Sequence, residues 1–250
     1  MTATAVNIRL LEEISMSALP ALHTVYYDGW VLRFAGGHTR RANSINPLYA
    51  SQLNLSEKLA TCAALYRDQK LPVVFKMTAA VCPADLDAEL AAYGYSATLP
   101  TSVQGQPITA STGQLHPAVR IETQRSERWL EAYARMNEVS LQRRTLLGRM
   151  LDGLITPTGY ASIEDSGEIV AVGLGVVVQG YLGLFDIVTA ANWRNRGLGR
   201  QIVESLLAWG QASGAHSAYL QVLADNAPAL HLYSRMGFQE LYRYWYRVNS

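Results

Sequence analysis

The sequence predicts an α/β fold, and three observations carry that reading. An apolar run, Tyr181–Thr189, leads through a glycine-containing turn into a helical stripe. Leu198, Ile202, Leu206 and Trp209 lie on one side of that stripe, with Val203 and Leu207 beside them. A second run, His216–Leu223, leads into Asn226, Pro228 and a helical segment stopped by Gly237. Upstream, Gly159–Glu164 and Glu168–Val178 flank Asp165-Ser166-Gly167, the pattern of a hairpin. With 250 residues, 49% of them hydrophobic, the chain can build one large packed domain or two small ones.

Taken in order, the first half offers a strand at Gly29–Ala35, a turn at Gly36-Gly37 and a second strand at Arg40–Leu48. A helix follows from Ser56, read as its cap, to Arg67. Pro72–Met77 is a strand, and Pro83–Tyr93 a helix ended by Gly94-Tyr95. Residues 104–117 are rich in Gly, Pro, Ser, Thr and Gln and read as a linker. The second half begins with a strand at Ala118–Gln124 and helices at 126–136 and 141–154. It ends in a period-two strand, Leu241–Val248. The domain reading is thus 1–103, a linker at 104–117, and 118–250.

The turn before the Leu198 helix carries the most chemistry. It reads Arg194-Asn195-Arg196-Gly197-Leu198-Gly199-Arg200. A helix start presents unpaired N–H groups and the positive end of the helix dipole, which makes it an anion site. Gly197 and Gly199 leave the backbone open to an approaching oxygen, and three arginines add positive charge. A Walker loop is excluded because no Gly-Lys-Ser/Thr follows. A dinucleotide fingerprint is excluded because Ile202 stands where the third small residue belongs.

The remaining pattern, Arg194-x-x-Gly197-x-Gly199, resembles the acyl-CoA signature of the GNAT superfamily, the GCN5-related N-acetyltransferases. So does Asn226 with Ala229, Leu232-Tyr233 and Gly237-Phe238 downstream. The two motifs stand in the family's order and at its spacing, within the C-terminal half. The order β-α-α-β-β-β-α-β-α-β from Val119 on matches the family's layout, so the resemblance implies a GNAT fold, a mixed and mostly antiparallel sheet flanked by helices. The N-terminal half has a similar order of elements but no glycine between Pro47 and Ser56. It reads either as a degenerate second GNAT-like module that binds no CoA, or as an unrelated α/β extension.

The resemblance implies acetyl-CoA as co-substrate and transfer of its acetyl group to an amine by direct attack in a ternary complex. The acceptor is a small-molecule amine or a protein amine. The implied cofactor contacts are the backbone of Val188 and Thr189, the loop residues Arg194, Asn195, Arg196, Gly197, Leu198, Gly199 and Arg200, and the helix residues Asn226 and Tyr233. Tyr233 is the implied general acid for the leaving thiolate; the alternative is a core aromatic beside Leu232. Asp186, inside the apolar run Leu184–Val188, is a candidate base or a structural carboxylate, and Glu164 and Glu122 are further acidic candidates. A non-catalytic acyl-CoA-binding regulatory module is the alternative function.

Composition narrows the partners. A net charge of +1 argues against a broad nucleic-acid footprint. No apolar run is long enough to span a bilayer. Two cysteines and five scattered histidines give neither a disulfide framework nor a metal site, so no metal is expected and a cytoplasmic setting is the simplest. Met1–Val6 lacks a basic segment leading into an apolar one, so no secretory leader is expected. A homodimer stays open.

Overall fold

The computed structural model describes residues 7–249, so the leader expectation at Met1–Val6 lies outside the described residues. The first 103 residues hold α1 (Ile8–Ala18), β1 (His23–Tyr27), β2 (Trp30–Phe34), β3 (Ile45–Pro47), α2 (Leu55–Asp68), β4 (Val74–Met77), α3 (Leu86–Ala92) and the start of β5 (Ser96–Pro107). After them come β6 (Val119–Glu122), α4 (Glu127–Met136), α5 (Leu141–Asp152), β7 (Thr158–Asp165), β8 (Glu168–Val178) and β9 (Tyr181–Thr189). The chain ends with α6 (Leu198–Ala212), β10 (Ser217–Leu223), α7 (Ala227–Arg235) and β11 (Gln239–Val248). Among the described residues no helix is long and apolar enough to cross a membrane.

Two compact units emerge. The first is the described chain up to Val103, with Leu223–Asp225 and the residues from Leu241 on. The second is Gln104–Val222 with Asn226–Glu240. From Leu241 on, the C-terminal strand therefore counts with the first unit, whereas the sequence places it with residues 118–250.

In the first unit the strand order is β1-β2-β3-β4-β11-β5. Asp28 and Gly29 take positive φ, 41° and 81°, which suits the two-residue turn joining β1 to β2. β2 pairs antiparallel with β3, β3 parallel with β4, and β4 antiparallel with β11. Trp30, Phe75, Tyr66 and Met77 are fully buried in its core. α1 buries a polar residue, Glu12, which meets buried Lys76 of β4 at 2.5 Å and accepts the Tyr242 hydroxyl at 2.7 Å. A buried carboxylate needs such partners.

Three readings need correction here. Arg40–Ala42 is a 3₁₀ turn and only Ile45–Pro47 is strand. Asn43 explains this: its side chain accepts the N–H groups of Ala35 and Gly37 and donates to Thr39, holding a turn where an extended run was expected. Second, Asn54 caps α2, accepting the Ser56 N–H at 2.9 Å, so Ser56 lies inside the first turn. Third, residues 104–107 belong to strand β5, and the rest of the expected linker docks on α6. There Gln114 N donates to Glu204 O and His116 N to Ser205 Oγ. A Cβ at Gly113, where φ is +80°, would come within 2.6 Å of Glu204 O, so the approach to α6 requires glycine.

In the second unit the order is β10-β9-β8-β7-β6. β6 to β9 form an antiparallel meander, and β9 pairs parallel with β10. α6 packs Ile202, Val203, Leu206 and Leu207 into the core, as its stripe predicts. Gly173 and Gly175 of β8 face Ile202 and Leu206, and side chains there would collide with them. Burial of this face is what fixes the start of α6, and hence the loop before it.

Candidate active site

The parallel pairing of β9 with β10 is registered from Tyr181–Ser217 to Leu184–Leu220. β9 then continues to Thr189, held on its other side by β8 through Val172–Val188 and Ala171–Thr189. Near this departure the β8–β9 register shifts, between Val172–Val188 and Leu174–Phe185. Asp186 sits in the irregularity with φ +52°. A bulge of this kind re-aims side chains, and a positive φ at a non-glycine residue is strain that the surrounding pairing sustains.

From the end of β9 the chain makes one 3₁₀ turn, Ala191–Trp193, and enters the loop. Asn195 (φ +61°) and Gly197 (φ +78°) both adopt left-handed backbone. Gly197 is the N-cap of α6, with nothing within 4 Å of the position a Cβ would take. Left-handed residues beside a helix start turn successive N–H groups toward one concavity, the geometry of an anion cradle. A Cβ at Gly199 would stand 3.8 Å from Thr189 Oγ1 and 4.0 Å from Leu232 Cδ2. The loop, the end of β9 and α7 therefore meet at Gly199.

The three loop arginines are all engaged. Arg194 Nε donates to Thr189 O at 3.3 Å. Arg196 donates to Asn192 O and stacks over Trp193 at 4.6 Å. Arg200 pairs with Glu204 at 2.7 Å, one helical turn on. Glu204 also meets His116 Nε2 at 2.6 Å. Burial acts to raise the Glu204 pKa, but its bonds from Arg200 and His116 outweigh that and hold it below the usual glutamate value. The Glu204–His116 contact was missed from the sequence. The one local signal was Gly113 inside an otherwise polar stretch.

α7 supplies the remaining predicted residues. Asn226 caps it, accepting the Ala229 N–H at 3.2 Å. Tyr233 is buried in the second turn, its ring edge-to-face with Phe238 at 5.8 Å. Burial pushes its hydroxyl up to about 12. Gly237 stops the helix at φ +92°. Of the other acidic candidates, Glu164 pairs with Arg128 at 3.1 Å and Glu122 with Arg120 at 2.8 Å, both partly exposed. Among the described residues no cluster of three or more His, Cys, Asp or Glu side chains could hold a metal.

A strand that leaves its parallel neighbour, followed by a glycine cradle at a helix start, is the arrangement that the GNAT resemblance implies. The chain belongs to the family of the probable histone acetyltransferase Rv0428c C-terminal domain, whose model matches residues 4–247. It is similar to the uncharacterized N-acetyltransferase YobR of Bacillus subtilis, 25% identical over 246 residues, 97% of this chain and 98% of that one. Its fold is that of a GCN5-related N-acetyltransferase from Kribbella flavida, with a TM-score of 0.71, 13% identity, and 100% and 96% of the two chains covered. It also resembles a tandem GNAT protein from the clavulanic acid biosynthesis pathway, with a TM-score of 0.62, 12% identity, and 99% and 89% covered. The protein is an acetyltransferase of the GNAT superfamily.

Proposed function

We propose that the second unit transfers the acetyl group of acetyl-CoA to an amine, on a small molecule or a protein, by direct attack in a ternary complex. The observation that carries this reading is the left-handed pair Asn195 and Gly197 at the start of α6, beside the point where β9 leaves β10. The residues fit a pyrophosphate. The N–H groups of Gly197, Leu198, Gly199 and Arg200 would hold its oxygens, and Arg194 and Arg196 would exchange their carbonyl contacts for phosphate. The backbone of Val188 and Thr189 would hold the pantetheine arm and place an N–H at the thioester oxygen. Loss of one such donor typically costs about 100-fold in rate. Bound acetyl-CoA supplies an activated acyl group with a thiolate leaving group.

Tyr233 acts at the leaving sulfur. Its hydroxyl stays protonated throughout the physiological range because its pKa is about 12. A free thiol, with a pKa of about 8.5, is the stronger acid. Tyr233 therefore stabilises the departing sulfur by donating a hydrogen bond, ahead of any complete proton transfer. Asp186, re-aimed by the bulge, is the carboxylate nearest along the chain to the acyl-holding backbone and would take the amine proton. Arg200 would contribute less than its neighbours, since Glu204 already balances its charge.

In the first unit, the run β1-β2-β3-α2-β4-α3-β5 repeats the order β7-β8-β9-α6-β10-α7-β11. This repetition supports reading residues 1–103 as a degenerate GNAT-like module and 118–250 as the catalytic one. The function is tested by following thiol release from acetyl-CoA across an amine panel. The reading requires at least one amine to release thiol above hydrolysis and to be recovered acetylated. Thiol release that no amine stimulates would contradict it.

A further inference from the structure

The first unit has its own parallel crossover, β3–α2–β4, and a cavity of about 330 Å³ opens at it. Its walls include Trp30, Ser51, Leu53, Leu55, Lys58 and Cys82. These come from β2, the loop before α2, α2 itself and the loop after β4. In open α/β sheets, the carboxyl ends of parallel strands are where ligands sit. The volume is at the small end for ligand pockets and would hold a molecule of about ten heavy atoms.

The polar chemistry around this cavity differs from a phosphate site in a definite way. Asp28, in the β1–β2 turn, accepts the N–H groups of Gln52 at 2.9 Å and Leu53 at 3.0 Å. The loop before α2 thus already holds an anion, and that anion is part of the chain. Lys58 balances it, with its ammonium 3.1 Å from the Asp28 carboxylate and donating to Asp28 O and Ser51 Oγ. The same ammonium lies 3.8 Å from the Trp30 ring centre. The turn is built tightly onto the loop: Tyr49 N donates to Gly29 O, and a Cβ at Gly29 would overlap the Ala50 and Tyr49 carbonyl oxygens.

A phosphate or carboxylate would meet Asp28 and find the loop N–H groups taken. A neutral group would meet a balanced ion pair and apolar walls.

We propose that this cavity is a second small-molecule site, distinct from the acetyl-CoA site, and that it takes an uncharged, largely apolar ligand of about ten heavy atoms.

Cys82 gives a native reporter, since it lines the cavity and is partly exposed while Cys62 is fully buried. The full chain is equilibrated with small mixed disulfides bearing a benzamide, a carboxymethyl or a phosphoethyl group, at fixed reductant. Labelling at each cysteine is read by peptide mass spectrometry. The benzamide probe should label Cys82 at least tenfold more than either anionic probe. Leu53→Asp, a change at an exposed wall residue, should lower benzamide labelling of Cys82 at least tenfold while the circular dichroism spectrum stays unchanged. Gly197→Asp should leave the preference intact. Equal labelling by all three probes, a preference for the anionic ones, or benzamide labelling undiminished in Leu53→Asp would overturn the proposal. So would its loss in Gly197→Asp, which would tie the labelling to acetyl-CoA chemistry.

Discussion

The two crossover loops of this chain handle negative charge in opposite ways. The loop from β9 to α6 has left-handed residues at Asn195 and Gly197, arginines folded back on local carbonyls, and space in front of Gly197. The loop from β3 to α2 contains no glycine, and its N–H groups at Gln52 and Leu53 are bonded to Asp28. A loop of the first kind is ready to take an external anion. A loop of the second kind has an internal one and a lysine to match. The difference teaches that order of strands and helices sets where a site can be, while a few side chains decide what it accepts.

Breaking the first loop should have the largest effect. Gly197→Asp keeps a residue that tolerates left-handed backbone, so folding should persist, but it sets a carboxylate where the proposed pyrophosphate would approach. Acetyl-CoA affinity should fall by about 100-fold or more, judged from phosphate-site electrostatics. Calorimetry with a circular dichroism control checks both halves. Wild-type affinity in a folded variant would remove the cradle from the account.

Tyr233→Phe should come next, lowering turnover by about 10- to 100-fold with acetyl-CoA affinity within about twofold. The buried ring and its contact with Phe238 survive, and only the hydroxyl is lost. The deficit should shrink with an acyl donor whose leaving group is a stronger acid. Steady-state kinetics beside equilibrium binding separates this from a binding role, which would raise the dissociation constant instead.

The internal anion can be tested through pH. Backbone bonds from Gln52 and Leu53, with Lys58 beside it, hold the Asp28 carboxylate below the ordinary aspartate value of 3.8. A lowered carboxylate pKa contributes stability that is fully present above the ordinary value and is lost as pH falls through the lowered one. Asp28→Asn should lower Tm by about 2–4 °C at pH 7. That gap should hold down to about pH 4 and narrow below it. A gap independent of pH would mean that the charge contributes nothing.

The smallest effect should come from Arg200→Gln. Because Glu204 and His116 already engage this end of α6, losing the arginine should weaken acetyl-CoA binding by about threefold or less. A loss as large as that of Gly197→Asp would show that Arg200 leaves Glu204 to bind phosphate.

The legible parts of the fold are those whose signals are local. The β7–β8 hairpin, β9, α6 and its loop, and α7 with Asn226 and Gly237 all follow from periodicity, a cap or a glycine, and the structure has them within a few residues. What stayed hidden depends on distant partners. α1 turns Glu12 and Ser15 inward, which interrupts an apolar stripe, and the partner that makes this tolerable is Lys76, far along the chain. β5 buries Thr101, Ser102 and Gln104, so it shows no apolar period and its end at 104–107 reads as linker, while sheet pairing satisfies its backbone. Asp28-Gly29 between two β-rich runs was a visible turn signal and marks β1, which was not read as a strand. At the site, residue types and order were readable. The β9 bulge at Asp186 and the coupling of Arg200 through Glu204 to His116 are geometric and were not.

The most direct test is the stoichiometry of acetyl-CoA on the intact chain, measured by isothermal titration calorimetry on wild type and on Gly197→Asp. The account predicts one site per chain in the wild type and none in the variant. Two sites per chain, or one site that persists in Gly197→Asp, would contradict it, because acetyl-CoA would then be held by something other than the loop at 194–200.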